Sequence, residues 1–220
     1  MATSQAIIDL SAIPVPDAVE VPDTAMLVTQ IVAKYQELDT LFSALVESDP
    51  AYKWAEALAF RVALMRQQIN DAVRAVLLAS AGGSDLDQVG ANYQVQRLVI
   101  TPADDSTIPP TPAVYEDDDA FRERIQLSWA RLSTAGAKNA YHYFAQSADP
   151  DVLDVKAYGP ETHSQEGRVF LYVLSRSGNG TVPQPLLDKV AASVSDDETR
   201  PLTDFVSVRT AEIIPYDVVA

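Results

Sequence analysis

Between Asp49 and the Gly82-Gly83 pair, apolar side chains stand at Trp54, Leu58, Val62, Met65, Ile69, Ala72 and Val76, always three or four residues apart. Only an α-helix brings residues at that spacing onto one stripe. Asp49 supplies a cap, Pro50 takes the first helical position where its missing N–H costs nothing, and the paired glycines end the helix after Ala81. Ala55, Ala59, Ala63 and Leu77 run alongside and widen the apolar face. The rhythm is heptad-like and lasts about six turns.

A second helix precedes it. Thr24 can cap a segment with Leu27, Ile31, Leu38, Leu41 and Leu45 on one stripe and Tyr35 and Phe42 beside it. Two helices alone leave so wide an apolar face half wet. It can cover a later domain of the same chain or join a bundle shared with other chains, and helices this long before a compact domain favour the bundle. The expected interface is therefore Leu27, Ile31, Leu38 and Leu45 on the first helix, with Trp54, Leu58, Val62, Met65, Ile69 and Val76 on the second.

Ahead of the helices, Ile7 to Asp23 interleaves Ile7, Ile8, Leu10, Ile13, Val15, Val19 and Val21 with Pro14, Pro16 and Pro22. Proline fixes its own φ and disfavours helix in the preceding residue, so this is an extended arm. An arm this apolar lies on a surface, either its own domain or a neighbouring subunit.

Composition narrows the function. At 220 residues and 47% hydrophobic content the chain can bury one core or divide into two modest domains. Sixteen basic residues against 31 acidic leave a net charge of −15, which repels nucleic-acid backbones and anionic lipid and favours a basic partner. Without cysteine there is no disulfide framework, thiolate metal site or cysteine nucleophile. The first residues lack a signal-peptide pattern, and no window approaches the roughly 18 apolar residues of a membrane span.

After Ser84 to Tyr93, a short helix, Val95 to Ile100 reads as a strand, and Thr101 to Val114, with four prolines and Asp104-Asp105, as an extended connector and hinge. Asp118 or Asp119 opens a helix with Phe121, Ile125, Trp129 and Leu132 on one face and Arg122, Glu123, Arg124 and Arg131 on the other. Ser133 to Gly136 breaks it, and Ala137 to Ser147 forms another helix burying Tyr141, Phe144 and Ala145. Period then changes from helical to alternating: Val152 to Tyr158 and Arg168 to Leu174 form a hairpin, a helix follows with Leu186, Leu187, Val190 and Val194 inward, and Phe205 to Ile214 is the last strand. Adjacent apolar pairs at Ile213-Ile214 and Val218-Val219 lead towards another domain or chain, adding Tyr216 and Val218 to the expected interface. The fold class is α+β: an extended arm and long helices, then a mixed domain with a strand-strand-helix-strand sheet.

Candidate chemistry is sparse. His142 and His163 sit in a helix and a polar loop without ligand spacing. Glu116-Asp117-Asp118-Asp119 has carboxylates enough for calcium but no loop glycine, and it immediately precedes an amphipathic helix, where acids act as caps. Asp149, Asp151, Asp196, Asp197, Glu198 and Asp204 lie at helix ends or turns. No nucleophile elbow, phosphate loop or dinucleotide fingerprint appears. The expectation is no enzyme, no cofactor and no metal.

The order of Tyr115-Glu116-Asp117-Asp118, Phe121-Arg122-Glu123-Arg124-Ile125, Leu132-Ser133-Thr134-Ala135-Gly136, Asp149-Pro150-Asp151 and Arg200-Pro201-Leu202-Thr203-Asp204 resembles the baseplate assembly protein J family of contractile phage tails and tailocins. The likeness is densest from Leu86 to Tyr216. It implies a structural component of the baseplate wedge, two copies per wedge and six wedges around the tube, with a helical core bundle. Implied partners are a second copy of the chain and other wedge proteins, with tube, spike and sheath-initiating proteins as further candidates, and the implied place is the particle baseplate, assembled in the host cytoplasm. Family members usually continue past the position of Tyr216 with a further small domain. The expected organisation is an arm at 1–23, a bundle-forming helical segment at 24–81, a short helix, strand and connector at 82–114, and a J-like α+β domain at 115–220. The competing reading is an acidic binding module that recruits a basic partner.

Overall fold

The computed structural model describes residues 8–41, 46–133, 136–197 and 199–215. Contacts divide the chain into a helical unit, Leu10–Asp85, and an α+β unit made of the residues from 86 onward together with 8 and 9.

In the helical unit, α1 (Thr24–Leu38) packs along α2 (Pro50–Ala75). Asp49 caps α2 by accepting the Ala51 N–H at 2.8 Å, with Pro50 at the first position. The contact between the helices is built on small residues: Ala55 and Ala59 are buried on α2 against Leu27 and Val28 on α1, with Ile31, Val32, Tyr52, Val62 and Ala63 around them. Alanines let the two backbones approach closely while the larger α2 side chains turn elsewhere. Both helices end sooner than the stripes suggest. The Asp39 carboxylate accepts the Leu41 N–H at 3.1 Å, a local bond that competes with the next helical turn. At the end of α2, the Ser80 hydroxyl donates to the Arg74 carbonyl at 2.7 Å, closing the helix before the glycines are reached.

The proline-rich arm lies on its own unit. Asn70, 4% exposed on α2, clamps Val19 from both sides, donating to its carbonyl at 2.8 Å and accepting its N–H at 3.0 Å. Arg66 donates to the Glu20 carbonyl and Arg74 pairs with Asp17. A strand-like segment without a sheet thus satisfies its backbone on side chains.

The α+β unit begins with α3 (Gly83–Asn92), followed by β1 (Val99–Thr101) and β2 (Val114–Tyr115). These strands pair antiparallel, Val99 opposite Tyr115 and Thr101 opposite Val114, so the proline-rich stretch leaves and returns at one place as a β-ribbon. It is therefore not the connecting hinge its composition suggests, and the strand sits later than Val95 to Ile100.

Next come α4 (Asp118–Leu127), a 3₁₀ turn at Ser128–Leu132, α5 (Lys138–Ala148), β3 (Val152–Tyr158), the one-turn α6 (Pro160–His163), β4 (Arg168–Ser175), α7 (Gln184–Val194) and β5 (Phe205–Thr210). Asp117 caps α4 through the Ala120 N–H at 2.8 Å. Phe121 and Ile125 are fully buried as expected, whereas Trp129 and Leu132 are exposed. The switch to 3₁₀ geometry advances the chain by about 120° per residue instead of 100°, so side chains beyond Ser128 leave the buried stripe. Trp129 lies edge-on to Tyr93 instead.

The sheet order is β3-β4-β5, with β4 antiparallel to β3 and parallel to β5 across the α7 crossover. Val169, Leu171 and Val173 on β4 face a core completed by Val152, Val155, Tyr141, Ala145, Leu186, Val190 and Val194. Helices α5 and α7 thus cover one face of the sheet. The architecture is α+β, a strand-strand-helix-strand unit preceded by long helices and an arm.

Candidate interaction surface

The period of α2 divides its side chains into two faces with different tasks. Ala55, Ala59, Val62 and Ala63 meet α1. Trp54, Leu58, Met65, Ile69 and Val76 lie outside that buried contact, and each is between 48% and 77% exposed. Trp54, Met65 and Val76 are eleven residues apart, as are Leu58 and Ile69. An eleven-residue repeat gives about 3.67 residues per turn, close to that of a straight helix, so the exposed stripe runs nearly along the axis without the drift of a heptad. Over the 22 steps from Trp54 to Val76 its length is about 33 Å.

On α1, Leu27 is buried against α2, Ile31 packs between the helices and Leu38 is exposed at the end. Leu45, Tyr216 and Val218 lie outside the described residues. Ile31, Val32, Tyr35, Trp54, Leu58 and Arg61 border an almost wholly apolar groove of about 550 Å³ between α1 and α2. Contiguous exposed apolar surface of this kind makes the groove a candidate interaction site.

The titratable residues of the α+β unit serve structure. Glu116 and Arg124 form a buried ion pair, and Arg124 also donates to the Gln96 carbonyl and the Ser147 hydroxyl. Glu116 accepts the Leu98 N–H at 2.9 Å, while Arg97 donates to the Glu116 carbonyl and pairs with Asp87 and Asp118. Arg124 thus leaves the solvated face that helical periodicity assigns to it. The base of the ribbon, α3, α4 and α5 are tied together at this point. Burial works against the Arg97 charge, but its bonds to Asp87 and Asp118 raise its pKa.

His142 Nε2 lies 3.3 Å from Asp154 Oδ1, and that contact holds the Asp154 carboxyl below its usual pKa. The His163 ring meets Phe170 edge-on at 4.6 Å, and its Nδ1 accepts the Gln165 N–H. Asp151 takes the hydroxyls of Ser175 and Ser177, fastening the end of β4; burial opposes the charge, yet these bonds depress its pKa. Among the described residues no three His, Asp or Glu side chains converge as metal ligands, and no helix is long and apolar enough to cross a membrane.

Long apolar helices ahead of a small α+β unit, with charged groups spent on internal bracing, define a protein built to be joined to others. Residues 47–104 match the baseplate J-like N-terminal domain, and residues 133–210 match the baseplate J-like central domain. The chain is 42% identical over 219 residues to "Baseplate protein J" of Escherichia phage P2, covering 96% of this chain and 71% of that protein. It belongs to the baseplate J family and is a structural component of a phage baseplate.

Proposed function

We propose that the exposed stripe of α2, together with the end of α1, is the face by which this chain joins its neighbours in a baseplate wedge. The observation that carries this reading is the stripe itself: large side chains from Trp54 to Val76 stay wet while alanines make the intrachain contact. A helix of a second copy or of another wedge protein laid along the stripe would bury it and complete a bundle. Wedges joined in this way form a ring around the tail tube, with tube, spike and sheath-initiating proteins as neighbours, assembled in the host cytoplasm. The role is mechanical, without turnover.

Leu58→Asp and Ile69→Asp test the reading. Both sites are about half exposed, so the isolated chain keeps its fold, and incorporation into particles is lost. Complete baseplates at normal yield with both substitutions present would overturn the helical face as the joining surface.

A further inference from the structure

The face of the sheet away from α5 and α7 is a concavity of about 810 Å³. Its floor is aromatic. Tyr158 is opposite Phe170, Tyr172 is the next residue of β4 on that face, and the Tyr158 and Tyr172 rings meet edge-on at 5.7 Å. Lys156 and Arg209 are the register partners of Tyr172 on the two outer strands, so one row across the sheet reads Lys156, Tyr172, Arg209. Neither cation forms an ion pair among the described residues; the Arg209 guanidinium lies over the Phe170 ring at 4.2 Å. Asp154 and Glu212 also border the concavity, and Asp154 is already engaged by His142. In a chain with a net charge of −15, an aromatic floor flanked by two such cations stands apart.

The ribbon is its complement. From Val99 to Tyr115 it carries Asp104 and Asp105 and no basic residue. Its tip is internally braced: Asp104 Oδ1 accepts the Ser106 N–H at 2.9 Å and the Ser106 hydroxyl at 2.5 Å, Asp104 and Thr111 exchange backbone hydrogen bonds, and the hydroxyls of Thr107 and Thr111 lie 2.9 Å apart. Ile108 at that tip is 100% exposed. The base is held by the Glu116, Arg124 and Arg97 network. A two-stranded ribbon exposed on both faces is marginal by itself, and this one spends its side-chain bonds on presenting one aliphatic residue beside two carboxylates.

We infer that the ribbon tip of one copy docks in the sheet concavity of a second copy, with Ile108 on the half-buried Tyr158 and Tyr172 rings and Asp104 and Asp105 facing Lys156 and Arg209. Surface and counter-surface lie on the same chain and differ from each other, so the contact is head-to-tail and extends to a ring where the rotation closes. Charge complementarity sets the partner and the register. The inference does not rest on the helical face.

The absence of cysteine makes the test direct. Purified chains carrying Leu58→Asp, which removes the helical face from the experiment, are prepared as an Ile108→Cys copy and a Tyr172→Cys copy with tags of different length, mixed and oxidised with diamide. A mixed-tag dimer should form at about tenfold or more the yield given by Ile108→Cys with a Lys189→Cys control on α7. Asp104→Lys with Asp105→Lys in the ribbon copy should bring the yield down to the control, and Lys156→Glu with Arg209→Glu in the other copy should restore it. Glu212→Cys at the rim replaces Tyr172→Cys where the latter unfolds. A mixed-tag yield no higher than the control, or one indifferent to charge reversal, overturns the inference.

Discussion

Tyr141 on α5 donates its phenolic hydrogen to Oδ2 of Asp204, 2.7 Å away and 63 residues along the chain. A Cβ built on Gly136, whose φ is +67°, would lie 2.7 Å from that same oxygen and 2.9 Å from Pro201 Cγ. Gly136, the last residue of one segment that carries the family likeness, therefore stands against Pro201 and Asp204 of another. Glycine is required there both for its positive φ and for the missing side chain.

Burial, reinforced by the Asp204 hydrogen bond, raises the pKa of Tyr141. A group whose folded pKa exceeds its unfolded value of about 10 contributes stability that is complete below that pH and declines as pH rises towards the folded pKa. Tyr141→Phe should cost roughly 1 to 2 kcal/mol at neutral pH. The difference between the two proteins should shrink above about pH 10, as measured by urea unfolding across pH.

The two faces of α2 should respond oppositely to substitution. Ala59 has no exposed surface, and Ala59→Leu forces a larger side chain between α1 and α2, costing about 1 to 3 kcal/mol. Leu58→Asp, one residue away, should change the unfolding free energy by less than about 0.5 kcal/mol. Denaturant titration of both variants separates the faces.

Breaking the buried pair should be expensive. Glu116→Gln leaves Arg124 charged and enclosed, and should cost about 3 to 5 kcal/mol. Arg124→Met beside it should recover part of that loss, because the remaining charge goes too. A double variant as unstable as the sum of the two single variants would show that the groups act separately.

Gly90 on α3 offers a test in which helix propensity predicts the wrong sign. Replacing a helical glycine with alanine ordinarily stabilises by about 0.5 to 1 kcal/mol. Here the new Cβ would come within 2.5 Å of Phe121 Cζ and 2.9 Å of the Val95 carbonyl oxygen. Gly90→Ala should therefore lower the melting temperature.

Local periodicity is written into a sequence and distant pairing is not. The limits of β3 and the start of α2 follow from alternation and from the Asp49-Pro50 cap, both local signals. The exposed face of α2 is visible in the sequence as a stripe, but its separation from the alanine face depends on where α1 lies. Glu116 and Arg124 are eight residues apart on either side of a helix start, so one reads as a cap and the other as solvated until the fold encloses both. The ribbon was hidden by composition: proline and aspartate suit a connector, and the pairing of Val99 with Tyr115 spans the whole loop. Arg209 and Lys156 come to flank Tyr172 only through the parallel and antiparallel registers on its two sides.

The parallel pairing of β4 with β5 bears on how the chain emerges from the ribosome. β3 and β4 can form their hairpin as soon as Ser175 is free, whereas the strand that closes the other side of β4 begins only at Phe205, beyond the whole of α7. Throughout that interval the middle strand, with Val169, Phe170, Leu171 and Val173 in one run, has an unpaired edge, which is the form most prone to capture by another nascent chain. A pause in translation between Ser175 and Thr210 should therefore prolong exposure of that edge, and rapid passage through α7 should shorten it.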